Sequence, residues 1–310
     1  MKIQQLEYFI ALAARGNFGE AAQLCHVSQP AMSMAIKTFE EKLGERLFIR
    51  HGNPIILSPF GEKVLPHARR IVFEYQSLLS LSDEVDALSG DLRIGVIPTI
   101  APYLLPKLIT RLRKLLPDTT LVIEEQLTAI VLDKINCNEL DVGIVATPIE
   151  ANNLHETFLY REPFMLYGAH EPKNKYILPE DIDVSELWIL QEGHCLRDQI
   201  ADLCALQKQQ PHEIQYQAGS IETLMNLVDQ YGGLTIVPEL AAKRLSPSRS
   251  KRLQLFKKPA PAREVSLVYH PLSIKLELLE RLGAIIKRIV PEYDDEGNIY
   301  RTVPVRKQTL

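Results

Sequence analysis

The chain opens with three short apolar stripes of helical spacing. Leu6, Phe9, Ile10 and Ala13 recur at i, i+3, i+4 and i+7, which predicts one amphipathic helix. After Gly16 and Asn17 a second stripe follows, Phe18, Ala21, Ala22 and Cys25, and predicts a shorter helix. Ser28 is suited to cap a third helix, with Pro30 in the first turn, where its missing N–H does no harm. Met32, Ile36, Phe39 and Leu43 form the apolar face of that helix, and Gly44 ends it. Three short helices with a tight link between the second and third read as a helix-turn-helix.

Residues 47–50 and 55–57, separated by His51-Gly52-Asn53-Pro54, read as a two-stranded wing. A long helix is predicted over 59–88. Its apolar positions, Val64, Ala68, Ile71, Tyr75, Leu78 and Val85, advance by threes and fours with Ser82 among them, a narrow seam suited to a two-stranded coiled coil. Ser89-Gly90 reads as a hinge. Beyond Asp91 the period changes. Strand-like 92–97, 121–125 and 142–146 alternate with helical 104–116 and 129–135, the pattern of a parallel sheet. A second set follows: strands at 164–169, 187–190, 234–237 and 265–269, helices at 196–206, 221–231 and 276–290. Two small α/β lobes with a cleft between them are expected. The polar tail, 291–310, is expected to be mobile or packed on by extension. The domains are therefore 1–58, 59–90 and 91–310.

The 310 residues are 46% hydrophobic and 24% charged, ordinary globular usage, and the net charge of −4 gives no bulk pointer to a polyanion. Residues 1–70 carry nine Lys/Arg against six Asp/Glu, a modestly basic head on an acidic body. Four cysteines are too few for a secreted disulfide scaffold. The start lacks a signal-peptide core and no apolar run reaches membrane-spanning length. A cytoplasmic setting without membrane partner, metal or cofactor is expected.

Gln29, Ser33 and Lys37 share one face of the third helix, with Pro30 and Met34 beside them. A polar stripe at a helix N-terminus suits major-groove reading, since Gln bonds adenine, Ser either base class and Lys guanine or phosphate. Arg50 and His51 at the wing could hold the backbone of double-stranded DNA. The candidate DNA-binding set is thus Ser28, Gln29, Pro30, Ser33, Met34, Lys37, Arg50 and His51. Periodicity alone leaves this face balanced against the solvated side of a plain bundle. The string from Leu6 to Arg50, with AAQLCHVSQPAMSMAIKTFEEKLGERLF at its centre, resembles the DNA-binding head of the LysR-type transcriptional regulators. That resemblance implies a winged helix-turn-helix, a dimerising linker helix and a two-lobed, periplasmic-binding-protein-like α/β domain.

A second motif is Gly193-His194-Cys195-Leu196-Arg197-Asp198-Gln199, with Cys204 downstream. If this segment is helical, nine residues place the two thiols on opposite sides with ~13 Å of rise between them. A disulfide needs Cα atoms within ~7 Å, so the thiols cannot join while the helix is intact. Cys204 shares the stripe of Leu196, Ile200 and Leu203 and should be buried, whereas Cys195 shares the polar side with Gln199 and Asp202. His194, Arg197 and a helix start would all favour the Cys195 thiolate. Oxidation of Cys195 followed by attack of Cys204 would force the helix to unravel. Cys25 and Cys137 read as ordinary small core residues.

GHCLRDQ, CHVSQP, IAPYLLP and SIETLMNLV also resemble the hydrogen-peroxide-sensing members of the LysR family. By that resemblance Cys195 matches the peroxidatic cysteine and Cys204 the resolving one, while Thr99, Thr128, His194, Arg197, Asp198 and Arg263 match a peroxide pocket. Thr99 and Thr128 each follow the carboxyl end of a predicted strand, where ligands sit in parallel sheets. The resemblance further implies a homodimer or homotetramer, RNA polymerase as partner and a thiol reductant for resetting. The runner-up is a LysR-type regulator that binds a small organic effector in its cleft, with incidental cysteines. A thiol peroxidase would not need the head, and a solute-binding protein is disfavoured by the missing export signal.

Overall fold

The structure is a computed structural model that describes residues 1–49, 54–80, 90–149, 153–204, 218–290 and 299–305. The chain divides into two compact units, with the boundary near residue 88. The first contains α1 (Ile3–Arg15), α2 (Phe18–Leu24), α3 (Gln29–Leu43), β1 (Phe48–Ile49), β2 (Ile56–Leu57) and α4 (Pro59–Ser80). The second contains β3 (Gly90–Val96), α5 (Ala101–Leu115), β4 (Thr119–Glu125), α6 (Thr128–Asn136), β5 (Val142–Thr147), β6 (His155–Gly168) and β7 (Tyr176–Ile177). It continues with α7 (Cys195–Leu203), α8 (Ile221–Tyr231), β8 (Leu234–Pro238), α9 (Glu239–Ala242), α10 (Pro247–Ser250), β9 (Leu253–Phe256), β10 (Ala260–Tyr269), α11 (Leu276–Lys287) and β11 (Tyr300–Thr302).

In the first unit local chemistry sets the helix ends. Asn17 Oδ1 accepts from Gly19 N at 2.7 Å and from Glu20 N at 3.2 Å, capping α2. Ser28 Oγ accepts from Ala31 N at 3.4 Å at the start of α3, and Gly44 closes that helix at φ 77°. Phe9 is buried with edge contacts to Phe39 (centroids 5.9 Å apart) and Phe48 (5.4 Å), and Met32 and Ile36 complete this core. The buried Glu40 accepts from Leu47 N at 2.8 Å and so ties α3 to the wing. β1 and β2 pair antiparallel as expected. The start of α4 comes so close that a Cβ on Gly61 would lie 2.1 Å from Leu47 O.

The seam expected along α4 splits in two. Val64 and Ala68 turn inward onto the head core, whereas Ile71, Tyr75, Leu78 and Leu79 are exposed. Ser82 and Val85 lie outside the described residues.

The second unit is built on one sheet path, β4-β3-β5-β10-β6-β9-β7, with β11 on β10 and β8 on β6. β3, β4 and β5 pair in parallel, as the alternation predicts. The expected parallel arrangement ends there, because β10 is antiparallel to both β5 and β6, and β6 is antiparallel to β8 and β9. The expected strand at 164–169 is the end of the longer β6, and the one expected at 187–190 is reduced to two isolated bridges. β6 spans two apolar cores: Leu159 and Tyr160 lie in the first, Phe164, Leu166 and Tyr167 in the second. These cores are the two expected lobes. α7 starts at their seam, with Cys195 in the first core and Leu196 and Ile200 in the second. The tail is partly structured, since β11 extends the sheet alongside Ala260–Ala262 in β10.

Candidate functional site

The site is assembled from four separate stretches of chain. Thr128 is the first residue of α6, which lies very close on the sheet. The reason is a pair of facing glycines on neighbouring strands, Gly95 and Gly143. A Cβ on Gly143 would lie 2.5 Å from the Val131 side chain, and one on Gly95 2.6 Å from that of Leu140. This seating brings Thr128 Oγ1 to 2.9 Å from Cys195 Sγ, with both residues buried. Either atom can be the donor.

Arg263 on β10 is 1% exposed and is held on three sides. Its Nε donates to Glu162 Oε2 at 2.9 Å, and Nη2 lies 2.7 Å from the same oxygen. Nη1 donates to Thr99 Oγ1 at 2.8 Å and Nη2 to Thr99 O at 3.0 Å. Glu162, wholly buried, accepts from Leu240 N at 2.8 Å through its other oxygen. A buried guanidinium is tolerable only with such pairing. Beside it Tyr160 is buried, and its hydroxyl has no partner among the described residues.

The structure corrects three expectations about the thiols. Cys195 does not lie on a solvent-facing polar side; it is 3% exposed, and Gln199, one turn on, is fully buried. Its thiol pKa is pushed up rather than down. Burial is the main cause and Asp198 adds to it, while the Thr128 hydrogen bond and the Arg263 charge oppose the shift. His194 and Arg197 do not supply the expected activation. Burial lowers the pKa of His194, favouring its neutral form. Arg197 turns back on the preceding loop, donating to Leu190 O at 3.0 Å and lying 3.6 Å from Glu192 Oε1. Cys204, expected in the core, is half-buried at the C-terminal cap of α7, and burial pushes its thiol up to about 11. The four cysteines form no disulfide among the described residues, and α7 is an unbroken helix from Cys195 to Leu203.

Thr99, Thr128, His194, Cys195 and Arg263 are therefore all buried in the second unit, with Asp198 half-buried close by. Glu162 and Tyr160 were missed by sequence reasoning. The register that sets Arg263 opposite Glu162 pairs residues a hundred positions apart, and nothing local announces it. No group of three or more His, Cys, Asp or Glu residues suited to a metal ion occurs among the described residues. None of the described helices is long and apolar enough to cross a membrane.

On the head, Gln29, Pro30, Met34 and Lys37 are exposed on α3 and Ser33 is half-exposed, while Ser28 serves as the cap. Lys37 makes a loose, solvent-exposed pair with Glu41 at 3.8 Å. Arg50 and His51 lie outside the described residues.

Two family models match the chain: the bacterial regulatory helix-turn-helix protein, lysR family, over residues 3–62, and the LysR substrate binding domain over residues 86–289. The chain belongs to the LysR family of transcription regulators. It is 34% identical over 294 residues to the DNA-binding transcriptional dual regulator OxyR of Escherichia coli K12, which covers 93% of this chain and 95% of that one. A full-length OxyR cysteine-to-aspartate variant from Pseudomonas aeruginosa superposes with TM-score 0.79 at 31% identity, covering 93% of this chain and 95% of the other. A hydrogen-peroxide-bound OxyR cysteine-to-serine variant from Corynebacterium glutamicum gives TM-score 0.58 at 31% identity, covering 93% and 92%. The family and these relatives are DNA-binding regulators rather than enzymes, with a helix-turn-helix head and a mixed-sheet regulatory domain.

Proposed function

We propose that this regulator senses hydrogen peroxide through Cys195 and switches by forming a disulfide with Cys204. The observation that carries this reading is the 2.9 Å contact between Cys195 Sγ and Thr128 Oγ1, both buried, with the Arg263 charge acting on the thiol. A hydroxyl there can take the thiol proton and pass it on. The sulfur attacks one peroxide oxygen, the O–O bond breaks, and the proton from sulfur ends on the departing oxygen as water. Cys195 becomes a sulfenic acid. Hydroxyl and guanidinium donors stabilise the charge developing on the leaving oxygen, which offsets the raised thiol pKa. Cys204 then attacks the sulfenic sulfur, an S–S bond forms and a second water leaves. Peroxide is reduced and two thiols are oxidised; an external dithiol reverses the change.

The second step requires α7 to open, because nine helical residues rise ~13 Å and a disulfide spans Cα atoms within ~7 Å. The reading extends to the head. Gln29, Ser33 and Lys37 read the major groove, with Pro30 and Met34 beside them and Arg50 and His51 on the backbone. The exposed apolar residues Ile71, Tyr75, Leu78 and Leu79 of α4 pair with a second copy. The assembly is a homodimer or homotetramer that acts on RNA polymerase at a promoter.

Titration of the reduced protein with hydrogen peroxide, followed by mass-spectrometric disulfide mapping, tests the switch. A Cys195–Cys204 bond near one equivalent is expected. Its absence at low oxidant, with DNA binding altered instead by a small organic compound, would overturn the reading. Cys195→Ser should fold and bind DNA while losing the peroxide response.

A further inference from the structure

The polar side of α7 is buried at Cys195 and Gln199, and the C-terminal segment is in direct contact with that side at Gln199. Gln199, one turn after Cys195, is wholly buried, and its Nε2 donates to Val303 O at 2.7 Å. Val303 is itself buried in the second core. The segment is anchored on its other side to β10, where Ala260 N donates to Ile299 O and Val303 N to Ala262 O, both at 2.8 Å. Thr302 Oγ1 adds a bond of 3.1 Å to Glu264. Farther along α7, Asp202, Leu203 and Cys204 share a cleft of about 480 Å³ with Arg301, Val303 and Pro304. One short stretch of chain therefore bonds to α7 between the two cysteines and lines the same cleft as Cys204.

We propose that the C-terminal segment, residues 299–305, is a latch on α7, with Gln199 as its catch, and that it sets how readily the helix opens. The latch rests on the redox reading above and deepens it by assigning a control to the second step. Gln199 is a positioning residue that acts through Val303. Its amide is only half-satisfied, since Oε1 has no partner among the described residues. A buried polar group in that state gains less than a fully paired one. The catch is thus firm enough to hold the helix and weak enough to release it. Opening α7 breaks the Gln199–Val303 bond and draws Cys204 out of the cleft it shares with the tail.

The test compares the full chain with a chain ended at residue 298 and with Gln199→Met, which keeps side-chain bulk and should fold even if the shortened chain does not. In the reduced protein, amide exchange over residues 195–203 should quicken about five- to ten-fold in both variants, the effect of one lost buried hydrogen bond. Exchange in α8 should stay the same. After a peroxide pulse, sulfenic acid should form at Cys195 at the parental rate, while disulfide closure should quicken by a similar factor. Unchanged exchange across α7 in the variants would overturn the latch. So would unchanged closure in a protein whose parent does form the Cys195–Cys204 bond. Faster exchange in a protein that forms no disulfide even as the full chain would leave the latch standing and remove the redox reading.

Discussion

α3 and α7 both carry candidate functional side chains, yet they solve opposite problems. α3 keeps Met32, Ile36 and Phe39 inside and leaves Gln29 and Lys37 in water. Its polar face needs no partner in the protein, so it is free for an outside one. Its ends are set locally, by the Ser28 cap and by Gly44 in the left-handed region. α7 begins at His194 with no side-chain cap bond and buries Cys195 and Gln199. Its buried polar groups are paired by residues far away in sequence: Thr128 on α6 and Val303 in the tail. A helix supported from outside in this way can be released by withdrawing the support. One stabilised chiefly by its own core and caps cannot. The two helices thus differ in where their support comes from: α3 from its own caps and the head core, α7 from residues distant in sequence.

The sharpest way to break the contrast is at the buried charges behind α7. Glu162→Leu strands the Arg263 guanidinium, and the second unit should lose ~3–5 kcal/mol in urea unfolding, with the head transition unmoved. A loss under ~1 kcal/mol would mean that water reaches the pair. The next effect lies on α3. Gln29→Ala should cost ~1–3 kcal/mol of specific DNA binding with little change on random DNA, read by titration at fixed salt. Equal losses on both would remove Gln29 from base reading. A smaller change is expected from Ser28→Ala, ~1 kcal/mol of head stability through the lost cap, with peroxide chemistry at Cys195 untouched.

The smallest effect concerns pH. A thiol whose pKa is raised by folding contributes stability in its protonated form. For Cys204 that contribution is intact below the ordinary thiol value of 9.0 and is lost as pH rises toward about 11. Alkylation of Cys204 in the folded protein should therefore show its midpoint near pH 11, and that of Cys195 should also lie above the ordinary value. A Cys195 midpoint below that of a free thiol would restore the activation by His194 and Arg197 that the structure does not contain.

Where the chain's own pattern decides the structure, the sequence was readable. The head helices, the caps at Asn17 and Ser28, and α8 over Ile221–Tyr231 follow from apolar spacing and terminal residues. The fold class is legible on the same terms, helped by resemblance over the whole chain. The errors fall where the side chains depend on distant partners. Cys195 and Gln199 look solvent-facing in isolation, because helical period cannot show that Thr128, 67 residues earlier, meets the first and Val303, 104 residues later, the second. Arg197 looks like an activator because it adjoins the thiol in sequence, whereas its guanidinium reaches back to Leu190. Glu162 carries no local signal at all.

By itself, then, the amino-acid order determined the helices of the head, the parallel β3-β4-β5 alternation with its helices, and which residue types are available for DNA and for thiol chemistry. These depend on interactions within a few residues of chain. Tertiary structure alone decided that the thiol at 195 is buried with its pKa pushed up, that Arg263 is paired with Glu162, and that Gln199 meets Val303 of the tail. Burial and charge pairing depend on what arrives from elsewhere in the chain, and free energies of desolvation exist only once those pieces meet.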